Sequence, residues 1–383
     1  MFKHLIIGKV ALERELITIE GIHKMQHALE HLPFEGHVHV RQGAILKAVA
    51  PYTARQCWGG IVMPNTIPPI ITPSAATTYK KEILDAMPKE NFEPLMVGYL
   101  SEETSADDVR RGFESGAWVA MKFYPRGATT NSKEGINSWE LPFHPALKIM
   151  EEIGMPLALH AEANVDESTG KEIDIYDRER RFIPVLMELR KRRPQLKISV
   201  EHGTSLEMAQ FMEEHGDPKK LVCTVTIQHM MFSRQDLHKD GFQPHMMCYP
   251  IPKRAEAMLA WRELGTSGKP YIFAGTDSAP HPTHKKESAC GCAGGMFTAH
   301  AMIPLYAQIF EQAGRLDNLE EFLCINGPRF YGLEPRSGLV TLVKKPWTRQ
   351  SMIAVNGGEK IRPFGYHEKP EQRFRFEWQI QKP

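Results

Sequence analysis

The chain has 383 residues, of which 42% are hydrophobic and 24% are charged, and its formal net charge is +1. This composition is typical of a folded globular protein, and the balanced charge gives no electrostatic argument for nucleic acid or an anionic membrane as a partner. No apolar stretch approaches the roughly 18 residues of a membrane span, and the first apolar run, at residues 5–7, is too short for a secretory signal. The six cysteines form no Cys-x-x-Cys pair, so we expect reduced thiols in a cytoplasmic protein.

Short apolar runs recur along most of the chain. They are rich in Val, Ile and Leu and are nearly continuous rather than alternating, which is the pattern of parallel strands buried on both faces. The runs therefore predict a parallel sheet. In chain order they cover residues 36–40, 60–64, 94–100, 118–124, 156–160, 197–202, 221–229 and 270–277.

Helix signals fill the segments between these runs. The sequence Thr204-Ser205-Leu206-Glu207 has the spacing of a capping box and predicts a helix that ends near Gly216. About eight strand–helix units in series favour a (β/α)8 TIM-type barrel over an open doubly wound sheet. The G-x-G-x-x-G fingerprint of a dinucleotide fold does not follow the first run. We predict helices over residues 74–86, 104–116, 145–154, 178–193, 204–216 and 253–264.

The character of the chain changes after Gly332. We predict a catalytic barrel domain of residues 1–335, which includes the N-terminal segment, and a C-terminal extension of residues 336–383 packed on the barrel. Within the extension, residues 337–343 and 372–379 resemble isolated strands. The N-terminal segment at residues 5–19 is a candidate partner for them.

The first apolar run carries a His-x-His-x-Arg motif at His37, His39 and Arg41. Side chains alternate between the two faces of a strand, so the two histidines share one face. Arg41 lies on that face or at the strand end, where it could hold a carboxylate with two hydrogen bonds. Two imidazoles beside a guanidinium indicate a metal site next to an anion site, although an isolated histidine pair is more often an ordinary polar strand face.

Polar residues recur at the downstream ends of the other runs. Barrel enzymes place their catalytic groups at the C-terminal ends of the strands. One buried histidine is usually structural, but the same placement on most strands is hard to explain by independent structural roles. These residues are Asn65 after the second run, Lys122 in the fourth, His160 and His202 at the ends of the fifth and sixth, and Asp277 at the end of the eighth.

Lys122 is the sharpest of these signals, because a charged lysine between Met121 and Phe123 on a buried strand is costly unless it is paired or neutralised. Reaction with CO₂ would convert it into a bridging carbamate with two oxygen ligands. The alternatives are a lysine that points outward between helices, or one that is ion-paired with Asp277.

Imidazoles with carboxylate-type oxygens suit Zn²⁺. Two zinc ions about 3.5–4 Å apart would polarise a substrate oxygen and lower the pKa of a bridging water or hydroxide. Asp277 would accept the proton from that water and pass it to a leaving nitrogen.

This ligand order resembles that of the amidohydrolase superfamily, and several longer motifs resemble class II dihydroorotases. The resemblance extends from about residue 36 to residue 332. It implies a homodimeric zinc enzyme that cyclises N-carbamoyl-L-aspartate reversibly to L-dihydroorotate and water, the third step of pyrimidine biosynthesis. The motifs are Ile61-Val62-Met63-Pro64-Asn65, Lys122-Phe123-Tyr124-Pro125, Ala128-Thr129-Thr130-Asn131, Gly154-Met155-Pro156-Leu157, Gly275-Thr276-Asp277-Ser278-Ala279-Pro280-His281, Lys286-Glu287-Ser288, Cys290-Gly291-Cys292-Ala293-Gly294 and Asn326-Gly327-Pro328.

The resemblance also implies a role for each matching residue. One zinc would be bound by His37, His39, Asp277 and the carboxylated Lys122 (N6-carboxylysine), which bridges to a second zinc bound by His160 and His202. His39 and His160 would also face the substrate. The remaining roles concern the substrate alone: Arg41, Asn65 and His281 would hold its α-carboxylate, backbone groups of Tyr249 and Ala293 would contact its ring, and Thr129 and Thr130 would lie on a mobile loop that closes over it.

Two other functions stay open at this point. A related cyclic amidase, such as a dihydropyrimidinase, hydantoinase or allantoinase, would share the metal site but need not bind a ring carboxylate. An inactive scaffold would have lost metal ligands, whereas every expected ligand is present. Outside this set, Cys290-x-Cys292 is a weak candidate for a soft-metal site. We expect His284 to be solvated, and we expect His229, at the end of a predicted strand, to be structural or to support a ligand.

Overall fold

The computed structural model describes residues 25–381. The predicted N-terminal partner segment at residues 5–19 lies outside these residues. The strands in chain order are β1 Gln26–His31, β2 Phe34–Val38, β3 Gly59–Val62, β4 Glu93–Tyr99, β5 Ala120–Phe123, β6 Leu157–His160, β7 Ile198–Glu201, β8 Leu221–Val225, β9 Ile272–Ala274, β10 Ser337–Thr348, β11 Ile353–Ala354, β12 Lys360–Ile361 and β13 Arg375–Ile380.

Helices follow most of the barrel strands. They are α1 Gly43–Ala54, α2 Pro73–Ala86, α3 Ala106–Glu114, α4 Ala146–Ile153, α5 Arg178–Arg192, α6 Leu206–His215, α7 Ile227–Met231, α8 Ala255–Gly265, α9 Thr283–Lys286, α10 Met302–Gln312 and α11 Asn326–Phe330. Within residues 25–381, none of the helices is both long and apolar enough to cross a membrane.

Strands β2 to β9 form one sheet in sequential order, and every neighbouring pair is parallel. The first and last strands meet beyond their ends, where the His39 N–H donates to the Ser278 carbonyl at 3.1 Å. They also approach closely at Gly36, because a Cβ there would lie 2.4 Å from the Ala274 carbonyl oxygen. The predicted (β/α)8 barrel is confirmed.

Local capping sets several of the helix starts. Ser105 begins α3 by accepting from the Asp108 N–H, and Ser205 begins α6 by accepting from the Met208 N–H. The latter cap lies one residue later than the capping-box spacing indicates. Caps of this kind satisfy backbone donors that have no partner inside the helix.

The prediction of a strand over residues 221–229 is wrong beyond Val225. The Thr226 hydroxyl accepts from the His229 N–H and begins α7, so His229 lies on a short helix rather than at a strand end. His229 is buried, and its Nε2 lies 2.9 Å from the Pro250 carbonyl. This contact indicates a structural role.

The C-terminal strands form a second sheet in which β10 pairs antiparallel with both β1 and β13. β13 packs against α10, and the Trp378 indole donates to Glu311 at 3.0 Å. Because β10 pairs with a strand that precedes the barrel, both ends of the described chain meet in one sheet. The division into domains 1–335 and 336–383 stays a prediction.

Candidate active site

His37, His39 and Asp277 converge at the C-terminal mouth of the barrel. Asp277 Oδ1 lies 3.0 Å from His39 Nε2 and 3.4 Å from His37 Nε2. One ligand atom from each residue lies within 4.8 Å of the others, and all three side chains are buried. In the described part of the chain, this is the one such group of three or more side chains, and it includes neither Cys290 nor Cys292.

His160 and His202 extend this group. The ring of His202 lies 4.7 Å from that of His160 and 5.1 Å from that of His37, measured between centroids. Burial, together with neighbouring cationic groups, lowers the pKa of His37 and of His202 well below the usual histidine value. Neutral imidazoles are the form that binds metal ions. The structure therefore brings all four predicted histidine ligands together, and burial favours the neutral form of His37 and His202.

Lys122 lies on β5 with its side chain fully buried. Within residues 25–381, its Nζ atom has no hydrogen-bond partner and no carboxylate within ion-pair distance. Burial lowers the pKa of Lys122 to about 8, although Glu201 and Asp277 act against this shift. The described contacts therefore support neither alternative for this lysine, an outward orientation or an ion pair with Asp277.

Two buried glutamates, which the sequence analysis missed, contact ring nitrogens of the site histidines through their carboxylates. Glu201 Oε2 lies 2.6 Å from His37 Nδ1, and Glu162 Oε2 lies 2.8 Å from His160 Nε2. A carboxylate that accepts from one ring nitrogen fixes the tautomer and leaves the other nitrogen for a metal. The sequence does carry a signal for one of them, because Glu201 is a charged residue inside an apolar run and directly precedes His202.

The backbone is unusual at the site. Arg41, His202 and Asp277 have φ values of 60°, 46° and 47°, in the left-handed region that non-glycine residues rarely adopt. The neighbouring Glu35 carboxylate accepts from the N–H groups of His37 and Thr276, at 3.1 and 2.8 Å, and so ties β2 to the segment before Asp277. Strained backbone of this kind recurs at functional sites.

An open cavity of about 330 Å³ adjoins the histidine cluster, and Arg41 reaches into it from the end of β2. Arg41 Nε donates to the Pro280 carbonyl at 2.9 Å, and its terminal nitrogen lies at the same distance from His281 Nε2. Burial and the Arg41 charge lower the pKa of His281 to about 2, so this ring is neutral. A fixed guanidinium beside a neutral imidazole is suited to a carboxylate ligand.

Asn65 joins this cavity to the loop that carries Thr129 and Thr130. The Asn65 amide donates to the Thr130 carbonyl at 3.1 Å, and the Asn131 amide donates back to the Asn65 carbonyl at 2.9 Å. A second, smaller pocket adjoins this cavity, and both threonines line it together with the four histidines. The loop thus lies against the site, while its predicted mobility stays a prediction.

Ala293 lines the open cavity, and Tyr249 lines the smaller pocket beside it. The Ala293 N–H donates to the Lys285 carbonyl at 3.0 Å, and the Ala293 carbonyl accepts from Lys286 Nζ at 2.7 Å, so both of its backbone groups already have partners within the chain. The Tyr249 ring packs on Gly294, where a Cβ would lie 2.2 Å from the ring. Every predicted site residue except Lys122 lines one of the two adjoining pockets, and the side chain of Lys122 is fully buried.

Known proteins share both the sequence and the fold. The model of the amidohydrolase family matches residues 34–347. A dihydroorotase of Cronobacter sakazakii is 45% identical over 325 residues, which are 84% of this chain and 91% of that protein.

The chain belongs to the amidohydrolase family, and within it to the dihydroorotases. It is therefore a hydrolase of a small cyclic amide.

Solved structures agree with this assignment. The dihydroorotase of Saccharomyces cerevisiae, in complex with 5-fluoroorotic acid, matches with a TM-score of 0.84 and 30% identity over 93% of this chain and 98% of that one. The Campylobacter jejuni dihydroorotase matches with a TM-score of 0.82, the same identity and the same coverage. An L-hydantoinase from Arthrobacter aurescens is 17% identical with a TM-score of 0.69 over 86% of this chain and 84% of that one, a likeness of fold alone.

Proposed function

We propose that this dihydroorotase is of class II and that its site is a binuclear zinc centre bridged by a carboxylated lysine. The observation that carries the proposal is the buried, unpartnered Nζ of Lys122 beneath four imidazoles and one carboxylate. The reaction is the reversible closure of N-carbamoyl-L-aspartate to L-dihydroorotate with loss of water, in pyrimidine biosynthesis.

The donor set fits two zinc ions. His37, His39 and Asp277 would hold one, His160 and His202 the other, and a carbamate on Lys122 would give an oxygen to each. When bound, the metal pair would polarise the ring carbonyl and lower the pKa of a water held between the ions to near neutrality.

The environment of Lys122 favours the carbamate, because only a neutral amine attacks CO₂. With a pKa of about 8, about 10% of the amine is neutral at pH 7, whereas an ordinary lysine is about 0.03% neutral there. The carbamate would also replace a buried cation by an anion among metal ligands, which removes the charge that burial disfavours.

Asp277 is suited to carry the proton. Burial tends to raise its pKa, but the hydrogen bond with His39 and the interaction with the nearby His37 ring outweigh this and lower it. The side chain is therefore a carboxylate at neutral pH and can act as a base. In ring opening, Asp277 takes the proton from the attacking water and delivers it to the ring nitrogen as the amide bond breaks. In ring closure the same proton moves in reverse.

Arg41, His281 and Asn65 fix the orientation of the ring. A bidentate guanidinium contact to the α-carboxylate would hold the scissile amide toward Asp277. Thr129 and Thr130 line the site next to Asn65, where a closed loop would exclude bulk water. The neutral hydantoinase-type substrates offer no carboxylate for Arg41, so its position favours dihydroorotate over the related cyclic amidase function.

The experiment follows dihydroorotate ring opening by absorbance in wild type, in K122A and in K219A, which changes an exposed lysine. We expect K122A to lose activity by several orders of magnitude and K219A to match wild type. Full activity in K122A would remove the carbamate from the mechanism. A wild type that opens dihydrouracil faster than dihydroorotate would instead favour the cyclic amidase function.

We also propose a cytoplasmic homodimer, as the resemblance implies. All six cysteines lie in the described residues without a disulfide, which suits a reducing compartment. Light scattering of the purified protein would give twice the chain mass of 43.5 kDa. A monomer that retains full activity would contradict the dimer.

A further inference from the structure

The Lys286-Glu287-Ser288 motif has no role in the reaction described above, yet Lys286 is one of the most buried cations of the fold. It ends the short helix α9 and is 3% exposed. Its Nζ atom donates to three backbone carbonyls, those of Met247 at 2.8 Å, Ala293 at 2.7 Å and Gly295 at 2.8 Å. An ammonium has three N–H donors, so this set uses all of them.

Among residues 25–381, no carboxylate lies within ion-pair distance of Lys286, although Glu287 beside it pairs with His245 at 2.7 Å. A buried cation without a counter-ion is unfavourable, and burial lowers its pKa to about 8. An apolar side chain would fill the same space without that penalty. The presence of a lysine here therefore requires an explanation, and the three carbonyls that its ammonium contacts provide one.

The gathered segments form one wall of the substrate cavity. The Gly295 N–H donates to the Met247 carbonyl at 2.8 Å, and the Gly294 carbonyl lies 2.9 Å from His281 Nε2. The Tyr249 ring packs directly on Gly294. One ammonium thus connects the segment before Tyr249 to the segment that carries Ala293 and supports the His281 ring.

We propose that Lys286 is a positioning residue for the substrate: its ammonium gathers the carbonyls of Met247, Ala293 and Gly295 and thereby sets the spacing of the wall against which the ring binds. The inference rests on the proposed function, because it takes this wall to be the ring-binding surface. Lys286 itself is covered by these segments and acts through them.

Loss of the ammonium would loosen the wall without touching the ligands or Asp277. Contacts that are equally strong in the ground state and the transition state affect KM and leave kcat unchanged. We therefore expect K286M to raise KM for dihydroorotate about tenfold with kcat within about twofold of wild type. A purely structural role would lower the fraction of folded enzyme, which reduces kcat and leaves KM unchanged.

The experiment measures KM, kcat and zinc content for wild type, K286M and the exposed-site control K219M. It also measures Kd for 5-fluoroorotic acid, the compound bound by the yeast relative, by calorimetry. Support requires a tenfold weaker Kd and a raised KM in K286M, with K219M at wild-type values. A K286M enzyme with KM and Kd within twofold of wild type, or with only kcat reduced, overturns the proposal.

K286R provides a second test if K286M does not fold. A guanidinium keeps the charge, but its planar donors diverge and do not match three carbonyls that converge on one atom. We expect a KM about threefold above wild type, and an unchanged KM would overturn the proposal. Failure of the proposed function would appear in the wild-type assay, whereas failure of this proposal would appear in the ratio of Kd values, which needs no turnover.

Discussion

Glu201→Gln tests whether the buried carboxylate that contacts His37 tunes the proposed metal centre. Glu201 Oε2 lies 2.6 Å from His37 Nδ1 and accepts from the Thr224 hydroxyl at 2.9 Å. Its side chain is fully buried, so neither contact is shared with solvent. Because burial keeps His37 neutral, its Nδ1–H donates to Glu201 and Nε2 remains for the metal.

The expected loss of zinc affinity follows from the change in the group that accepts from His37 Nδ1. A hydrogen bond to a charged group contributes about 1.5–3 kcal/mol, and one between neutral groups about 0.5–1.5 kcal/mol. Glutamine keeps an oxygen acceptor of the same reach but loses the charge, so the expected loss is about 1–1.5 kcal/mol. This corresponds to roughly tenfold weaker zinc binding.

Zinc affinity would be measured by competition with a chromophoric chelator, and kcat/KM under zinc-saturating conditions. The matched control is Glu179→Gln. Glu179 is equally buried but accepts from the backbone of Thr204 and Ser205 and contacts no histidine ligand. We expect the control to bind zinc as wild type does. Zinc affinity in the Glu201 variant within twofold of wild type, or an equal loss in both variants, would refute the reasoning.

Two further predictions concern the substrate anchor and the lysine. Arg41→Lys should lower kcat/KM for dihydroorotate about 100-fold, because an ammonium replaces a guanidinium that contacts Pro280 and His281. Dihydrouracil lacks the carboxylate, so the variant should open it at the wild-type rate. An equal loss on both substrates would contradict the anchor. The second prediction concerns enzyme stripped of bicarbonate, whose rate of reactivation is measured at constant CO₂. This rate should rise about tenfold per pH unit and level off above pH 8, because the neutral amine reacts and the pKa of Lys122 is lowered to about 8. A rate that keeps rising to pH 10 would indicate an ordinary lysine.

The convergence of the proposed metal ligands could be predicted because it depends on topology alone. Strands buried on both faces are continuously apolar, so they are visible in the sequence, and their C-terminal ends must meet at one mouth of a barrel. Lys122 and His160 follow from this rule without any knowledge of side-chain positions. The buried glutamates do not, because Glu201 and His37 are 164 residues apart and nothing local pairs them.

The path of the backbone past the strand ends limits what periodicity can predict. Strand alternation correctly places His37 and His39 on one face, since both Nε2 atoms reach Asp277. Continued alternation would place the Arg41 side chain on the same face as His37 and His39. Its φ of 60° instead turns the chain, and the guanidinium points toward His281. Tertiary contacts determine such a conformation, because the Tyr79 hydroxyl holds the Arg41 carbonyl from a different helix. The orientation of the proposed substrate anchor therefore depends on packing around the barrel mouth, and a sequence motif alone indicates its chemistry but not its direction.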